Sequence, residues 1–328
     1  MNRQRGIALV TAVLITALVA VVAVAMVSEQ QLDIRRTGNV LDRAQALQFA
    51  LGMESAALQL LRKDAEKNET DHKAEAWNQP RQYPAPGGAE GDLIGVQISD
   101  LQGRFNLNNL VDRDGAIVPA QLEQLRRLLT QLELPAALAD RIADWIDADS
   151  TPHGVDGAED GEYTSLDPPY RTSNMPLASP GELLLIMSRE EYGKLADHVA
   201  VLPGVERTKI NLNTASKEVL ASLEYLSGED ISELLAAREQ LEKQNNRGFD
   251  KIREVLELPG FRELRREHAD FEQYLMKNCG VASDYFLATM FARFDKGEVV
   301  LRSLIRRTRS RSDKVHRAQV LMRIQGDY

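Results

Sequence analysis

The chain has 328 residues, a formal net charge of −9 and one cysteine. The acidic balance argues against a nucleic-acid partner, because a phosphate backbone is bound by clustered lysine and arginine. The lone Cys279 excludes an intramolecular disulfide, and no Cys–His motif surrounds it. The sequence contains no legible nucleophile motif, metal triad or phosphate loop, so we expect that the protein is not an enzyme.

The N-terminal thirty residues contain the strongest signal. A short basic leader, MNRQRG, precedes residues 7–27, which contain no charge. A helix rises about 1.5 Å per residue, so this stretch matches the roughly 30 Å hydrocarbon core of a bilayer. Because Arg3 and Arg5 precede it, the positive-inside rule predicts a cytoplasmic N-terminus and places the rest of the chain across the membrane.

Two interpretations of this segment stay open at this point. One is a secretory signal peptide that is cut after Ala25, within a small-x-small pattern. The other is a permanent anchor, which the length of the apolar run favours. Apolar residues then recur at three- or four-residue steps from Val40 to Leu61. They predict that an amphipathic helix over residues 28–66 continues the membrane helix.

The basic leader that ends in Gly6, followed by an apolar segment that becomes an amphipathic helix, resembles the type IV pilin class of pilins and type II secretion pseudopilins. The resemblance implies that a prepilin peptidase cuts between Gly6 and Ile7 and that the new amino group is methylated. The class usually carries a glutamate at the fifth mature position, where this sequence has Thr11. Lack of that glutamate, together with unusual length, resembles the K-type minor pseudopilins, the general secretion pathway protein K family.

Four segments of the chain predict one sheet. Residues 67–92 are polar and rich in proline and glycine, so we expect a linker or exposed loop there. LIGVQISDLQGRF, residues 93–105, predicts a strand that ends near Gly103, and three further β-prone runs occupy 285–294, 299–307 and 315–324. Because a lone strand cannot bury its edges, the first strand is expected to join the last three. The helical sequence between them is then an insertion.

The expected fold class is α+β: a pilin-like long N-terminal helix with a small antiparallel sheet, carrying a large inserted all-α, SAM-like domain. Helices are predicted within the insertion around 119–146, 180–187, 189–199, 215–223, 229–244 and 251–256. The expected boundaries are a prepilin leader at 1–6, a transmembrane segment at 7–27, an amphipathic helix at 28–66, a pilin-like α/β domain at 67–103 and 270–328, and the inserted domain at 104–269.

A weak internal repeat lies within the insertion. Residues 103–110, GRFNLNNL, are echoed by residues 208–215, TKINLNTA, and a helical stretch follows each copy. Asn213 or Thr214 is placed to cap the second helix, with Glu218 in reciprocal contact. This second copy resembles the start of the helix-hairpin-helix domains of DNA-uptake proteins, so the alternative function is a membrane-anchored DNA-binding protein of the competence type. The acidic surroundings favour a SAM-like packing motif, and no nucleic acid is expected.

The loop between Arg141 and Arg171 contains many carboxylates and neither lysine nor arginine. Such density repels itself unless a cation is present, and hard oxygen ligands on a glycine-containing loop suit calcium. The spacing departs from an EF-hand, because Pro152 occupies the glycine position and Ala158 the twelfth. The resemblance to the K-type family also implies calcium in the insertion. The candidate ligands are Asp147, Asp149, Asp156, Glu159, Asp160 and Glu162.

Two other interpretations of this loop stay open. One is a solvated acidic loop without a ligand, since charged surface loops are common. The other is a pair of carboxylates that act as acid and base in a secreted hydrolase. Such a pair needs one desolvated partner, and a polar, glycine-rich segment does not favour that.

The C-terminal region carries a basic cluster. Phosphate binding, a solvated sheet face, an edge protected by charge and a docking surface for an acidic partner subunit are all compatible with it. We expect a mixture of edge protection and partner contact. Its members are Arg302, Arg306, Arg307, Arg309, Arg311, Lys314, Arg317 and Arg323.

The resemblance implies a minor pseudopilin at the tip of the type II secretion pseudopilus, which supports pseudopilus assembly and protein export across the outer membrane. The implied partners are I- and J-type minor pseudopilins in a tip complex, the major pseudopilin, the inner-membrane assembly platform, prepilin peptidase and membrane lipid. The expected location is the inner membrane of a Gram-negative bacterium. A single span there leaves the N-terminus cytoplasmic and the C-terminal domain periplasmic.

Overall fold

The computed structural model describes residues 3–204, 206–295, 297–309 and 316–326. Met1 and Asn2 of the leader, and Arg311 and Lys314 of the basic cluster, lie outside the described residues. Short 3-10 helices occupy Leu107–Leu110 and Pro180–Leu185. The α-helices are α1 (Arg3–Ala65), α2 (Pro119–Gln131), α3 (Leu138–Ile146), α4 (Asp160–Tyr163), α5 (Arg189–Leu195), α6 (Lys217–Ala221), α7 (Gly228–Asn245), α8 (Ile252–Leu256), α9 (Pro259–Glu267) and α10 (Phe271–Asn278).

The strands divide into one large sheet and two short parallel pairs. They are β1 (Arg81–Pro84), β2 (Leu93–Asp100), β3 (Phe105–Asn106), β4 (Val199–Ala200), β5 (Ile210–Asn211), β6 (Cys279–Gly280), β7 (Tyr285–Phe294), β8 (Gly297–Arg309) and β9 (His316–Gly326). The large sheet has the order β1-β2-β7-β8-β9, and its neighbours are all antiparallel. β2 therefore joins the C-terminal strands as predicted, and the expected α+β fold class is confirmed.

Helix α1 contacts the sheet through its C-terminal part, from Asp42 onwards. Every side chain from residue 7 to residue 37 is exposed, whereas Ala46, Ala50, Met53, Ala57 and Leu61 are buried against β2, β7 and β8. The predicted continuation of the membrane helix is present. The buried residues lie on a different side of α1 from the larger apolar side chains that the sequence pattern predicts to be buried. Small alanine side chains on the buried side let the helix lie close to the sheet.

Only part of residues 67–92 is the exposed loop that the sequence predicts: residues 86–91 are exposed, whereas Asp71, His72, Glu75 and Trp77 are buried. Trp77 is fully buried, and its ring lies edge-on to Phe286 with 5.2 Å between the centroids. Strand β1 then pairs with β2 from Arg81↔Val96 to Pro84↔Leu93. An exposed edge strand has no buried apolar face, so its sequence gives no strand signal.

Each copy of the internal repeat begins a helical unit, and a short strand in the copy pairs with a short strand near the end of that unit. In the first copy β3 pairs in parallel with β4, and in the second copy β5 pairs in parallel with β6. The second unit extends beyond the sequence boundary at 269, because Phe271 and Leu275 of α10 and Cys279 belong to the core of the insertion. The insertion therefore continues to about Gly280, where β6 ends.

Two local predictions in the insertion are wrong. The helix expected over 119–146 is broken between α2 and α3, where Glu133 adopts a left-handed φ of 55° before Pro135. Helix α6 is capped by Ser216, whose Oγ accepts from the Val219 N–H at 3.3 Å. The residues expected to cap it are directed elsewhere: Asn213 bonds to the Phe249 backbone and Thr214 donates to Asp100.

A buried ion cluster joins α1 to the sheet. The guanidinium of Arg307, which is fully buried, contacts Asp64 at 2.8 Å and also pairs with Asp71. Arg309 contacts the second carboxylate oxygen of Asp71 at 2.7 Å. Arg307 and Arg309 of β8 thus neutralise the carboxylates of Asp64 and Asp71. The cluster fixes the end of α1 on the sheet.

The same cluster is tied to the insertion through Asn211. The Asn211 side-chain amide contacts the carbonyl oxygen of Asp71 at 3.1 Å, a carboxylate oxygen of Asp100 at 3.0 Å and the Ser283 hydroxyl at 2.9 Å. Thr214 also donates to Asp100. Since Asn211 and Thr214 belong to the second repeat, one buried polar network connects the helix, the sheet and the insertion.

We expect Arg307→Met to lower the free energy of unfolding by about 3–5 kcal/mol, because it leaves Asp64 and Asp71 buried with less compensating charge. Chemical denaturation of the full chain in detergent measures this loss. Arg306→Met is the matched control, since Arg306 is the exposed neighbour on the same strand. An equal loss in both variants would contradict a role specific to the cluster.

Burial raises the pKa of Glu75 to about 8, and the charges of Asp64 and Asp71 add to the shift. A carboxyl whose folded pKa lies above its unfolded value takes up a proton on folding. Its contribution to stability is therefore complete below about pH 4.5 and decreases as the pH rises towards about 8.

Glu75→Gln should therefore flatten the decrease in the free energy of unfolding between pH 5 and pH 8. Unfolding of the full chain across that range, monitored by circular dichroism, gives the slope. Glu66→Gln, at an exposed position just beyond α1, serves as the control and should keep the wild-type slope. Equal slopes for all three proteins would disprove the assignment to Glu75.

Candidate membrane anchor and calcium centre

Among the described residues, one helix is long and apolar enough to cross a membrane, and it begins near the N-terminus. The large apolar side chains from Ile7 to Val27 are at least 50% exposed. Such a continuous apolar surface is not stable in water, so lipid or neighbouring helices must cover it. The Gly6–Ile7 junction lies within α1, before this surface.

Thr11 satisfies its hydrogen bonding within its own helix. Its hydroxyl lies 3.0 Å from the carbonyl oxygens of both Ile7 and Ala8. The side chain therefore needs no partner in an apolar environment, unlike a carboxylate, which requires a counter-charge there. It offers no negative charge to the N-terminal amine of a neighbouring subunit.

The acidic loop folds back onto the end of helix α3. Asp144 and Asp147 lie one helical turn apart, and both are almost completely buried. The His153 N–H donates to the Asp144 carboxylate at 3.0 and 3.2 Å, which returns the loop to the helix. Gly157 permits this approach, since a Cβ there would lie 2.4 Å from an Asp144 oxygen.

Two buried carboxylate oxygens in this loop have no hydrogen-bond partner: Oδ1 of Asp147 and Oε1 of Glu159. Burial raises the pKa of Asp147 to about 7, and the charges of Asp149, Asp144 and Glu159 add to it. Burial also raises the pKa of Asp144 and of Glu159. The loop thus holds mutually repelling carboxylates with unused oxygens, which is the condition that a bound cation relieves.

The remaining candidates differ in where their side chains lie. Asp160 accepts from the Thr172 N–H and hydroxyl, both at 3.0 Å, so it lies beside Glu159 at the same side of the loop. Glu162 pairs with Arg141 at 3.3 Å, and Asp156 is exposed. The charges of Asp149 and Glu159 act on Asp147, and that of Asp160 acts on Glu159, so these four carboxylates lie near one another. Asp160 also pairs with Arg171 at 3.7 Å.

Two further residues at this site were absent from the predicted ligands. Asp144 had a sequence signal, since its spacing of three from Asp147 places both on one helical face. Asn174 had none. Its amide donates to the Asp149 carbonyl at 2.8 Å, while its own side-chain oxygen has no partner.

A second group of carboxylates differs from the loop. Asp64, Asp71 and Glu75 each bring an oxygen within 4.8 Å of the others, and within the described ranges they form the only group of three this close. Arg307 and Arg309 pair with Asp64 and Asp71, and Glu75, whose pKa burial raises to about 8, accepts hydrogen bonds from Asn68 and Trp77. In the loop, arginines pair with Asp160 and Glu162, whereas the buried oxygens of Asp147 and Glu159 have no partner.

The motif that resembles a helix-hairpin-helix start is not accessible to a ligand. Asn211 and Asn213 are completely buried, and their amides bind backbone and side chains of the protein itself. A phosphate-binding turn must present its backbone amides to solvent. This copy of the repeat therefore packs the insertion, and the DNA-binding alternative is not favoured.

Two family models match the insertion, and both describe type II secretion system (T2SS) protein K. They cover residues 103–204 and 210–275. The chain is 38% identical over 260 residues to type II secretion system protein K of Pseudomonas aeruginosa, which covers 76% of each chain. It is 33% identical over 322 residues to the Klebsiella pneumoniae protein of the same name, covering 93% of each.

The chain belongs to the type II secretion system protein K family. The two protein K models begin at the two copies of the internal repeat, at Gly103 and Ile210. A solved protein K structure is also similar, in the GspK-GspI-GspJ complex from the type 2 secretion system of enterotoxigenic Escherichia coli. The TM-score is 0.73 at 28% sequence identity, over 89% of this chain and 100% of that chain. The protein K architecture therefore extends over both the insertion and the sheet.

Proposed function

We propose that this protein K homologue acts at the tip of the type II secretion pseudopilus. As a minor pseudopilin it supports pseudopilus assembly and protein export across the outer membrane. Helix α1 holds it in the inner membrane before assembly, with the N-terminus cytoplasmic and the folded part periplasmic. The observation that carries this proposal is the helix itself: its first half is bare and apolar, and its last third holds a folded head.

The proposed partners follow from the family and from the bare helix. The similar protein K from Escherichia coli was solved with GspI and GspJ, which supports I- and J-type subunits as partners here. The exposed side of α1 between residues 7 and 37 suits helices of neighbouring subunits, including the major pseudopilin. The inner-membrane assembly platform, prepilin peptidase and lipid complete the set. The protein acts as a structural component, and no catalytic step is assigned to it.

The tip position rests on Thr11 and on the insertion. A subunit stacked within the fibre is expected to offer a carboxylate to the amine of its neighbour, and Thr11 offers none. The insertion adds about 180 residues between β2 and β7, which enlarges the head well beyond its sheet. Both features suit a subunit that has neighbours on one side only.

We expect intact-mass spectrometry of the membrane-extracted protein to give a chain that begins at Ile7 with one added methyl group. Prepilin peptidase leaves an amine at Ile7, and the apolar segment stays in the product as the anchor. Expression in cells that lack the peptidase is the control and should leave MNRQRG attached. A chain that begins at Met26 would contradict the proposal and restore the secretory signal peptide.

We also propose calcium at the acidic loop. The unpartnered oxygens of Asp147 and Glu159, with Asp149 and Asp160 beside them, fit the hard oxygen donors that calcium prefers. Calcium takes six to eight oxygens, so backbone carbonyls and water complete a coordination shell to which the loop contributes only some of the ligands. Bound calcium supplies positive charge, and the residues of the chain hold the end of α3 against the returning loop.

Chelation should lower the melting temperature of the full chain, because calcium that binds only the folded state stabilises it. Asp147→Ala combined with Asp149→Ala should abolish the difference between calcium and chelator. Asp156→Ala combined with Glu162→Ala is the matched control and should retain it, since Asp156 is exposed and Glu162 pairs with Arg141. An unchanged melting curve for the wild type with chelator would reject the site.

A further inference from the structure

The two faces of the large sheet have different neighbours. Side chains alternate between faces along each strand, and α1 covers the face that includes Met290, Leu301 and Ile305. The opposite face carries the intervening residues of β7 and β8, with Met322 and Ile324 of β9 beyond the register shift at Leu304/Ile305.

The strand register aligns apolar side chains across this opposite face. Its rows are Leu287–Leu304–Met322, Thr289–Arg302–Ile324 and Phe291–Val300–Gly326. Gly95 of β2 extends the last row by leaving room for the Phe291 ring, because a Cβ there would lie 2.2 Å from ring atoms. We call the apolar members of these rows the outer sheet face: Leu287, Phe291, Val300, Leu304, Met322 and Ile324.

The insertion covers only one end of the outer sheet face. Ala200 and Leu202 pack against Tyr285 and Leu304, and the Tyr285 hydroxyl donates to the Pro203 carbonyl at 2.8 Å. Towards β9 the face is open, and Met322 and Ile324 are 37% and 45% exposed. β9 is also the last strand of the sheet, so its outer backbone edge is unpaired within the described residues.

The charges on this face differ in sign from those of the whole chain. The outward positions of β7, β8 and β9 carry Arg293, Arg306 and Arg317 as well as Glu298, in a chain of net charge −9. Arg293 donates to the Gly91 carbonyl at 3.1 Å, and the Arg306 guanidinium lies 5.8 Å from the centre of the Tyr285 ring. Neither contact neutralises the arginine.

The bilayer is not the ligand for this surface. The head first approaches α1 at Asp42 and Arg43, where Gly297 at the start of β8 packs on the helix. The apolar segment ends at Val27, so about fifteen residues of helix, roughly 22 Å, separate the membrane from the start of the head. A folded neighbour at the height of the sheet is the occupant that fits.

We propose that the outer sheet face docks the globular head of a neighbouring minor pseudopilin, one that presents carboxylates around an apolar patch. Apolar contact with Met322 and Ile324 contributes affinity, and the surrounding arginines select an acidic partner. This inference rests on the proposed function, since it identifies the surface by which the protein contacts other tip subunits.

The test uses the full chain in detergent with purified I-type and J-type subunits, and measures the dissociation constant of each pair. Met322→Asp combined with Ile324→Asp should weaken binding of one partner by roughly tenfold or more, because the apolar contact is lost and the new carboxylates repel those of the acidic partner. Leu184→Asp combined with Leu185→Asp, at 42% and 46% exposure on the insertion, is the matched control and should bind within about twofold of wild type.

Salt dependence tests the charge of the partner. Binding of the wild type should weaken as sodium chloride rises from 50 to 500 mM, and Arg293→Glu combined with Arg317→Glu should both weaken binding and reduce that dependence. These two arginines are exposed, so this variant keeps the sheet folded, and circular dichroism checks it.

The possible results distinguish a wrong docking surface from a wrong proposed function. If neither the I-type nor the J-type subunit binds the wild-type chain, the proposed function fails, and this inference fails with it. If the wild type binds and all variants bind equally well, the assignment to the outer sheet face is overturned while the proposed function stands. Binding that is independent of salt overturns the acidic partner.

Discussion

The buried pairing of Arg307 with Asp71 is the interaction on which the architecture depends. The chain leaves the sheet after β2 and returns to it at β7, so the insertion needs a fixed attachment at both ends. The carboxylate of Asp71 pairs with Arg307 of the sheet, and the backbone carbonyl of Asp71 accepts a hydrogen bond from Asn211 of the insertion. Because a buried charge is tolerated only with its partners in place, the network favours one orientation of insertion and sheet over others.

Helix α1 has one part suited to an apolar environment and one part suited to packing in water, and the sequence differs between the two parts. The part between Ile7 and Val27 is apolar on every side, as a helix surrounded by lipid or other helices must be. The part beyond Ala46 is apolar on one side only and uses alanine to approach the sheet. Between them lies an exposed stretch with charges of both signs, so the head stands away from the membrane.

The protein contains two groups of clustered carboxylates, and the two groups differ in their counter-charges. In the cluster of Asp64, Asp71 and Glu75, arginines of β8 provide the positive charge. In the loop after α3, buried oxygens of Asp147 and Glu159 lack such a partner. The first group stabilises the fold without assistance, whereas the second is suited to an added cation. The same residue type is therefore paired within the fold in one place and left with unpartnered oxygens in the other.

The sequence by itself determined the features that depend on local pattern: the apolar span, the helix that continues it, the four long strands and the repeat that opens each half of the insertion. Packing partners far apart in sequence decided the rest. Strand β1 and the burial of Trp77 had no periodic signal, and the cap at Ser216 replaced Asn213 because Asn213 is engaged by Phe249. For the acidic loop, composition predicts a cation site, but only the backbone path shows that Asp147 and Glu159 are buried without partners while Asp156 is exposed and Glu162 pairs with Arg141. Ligand geometry depends on which side chains the tertiary fold desolvates together, and that is not encoded in local spacing.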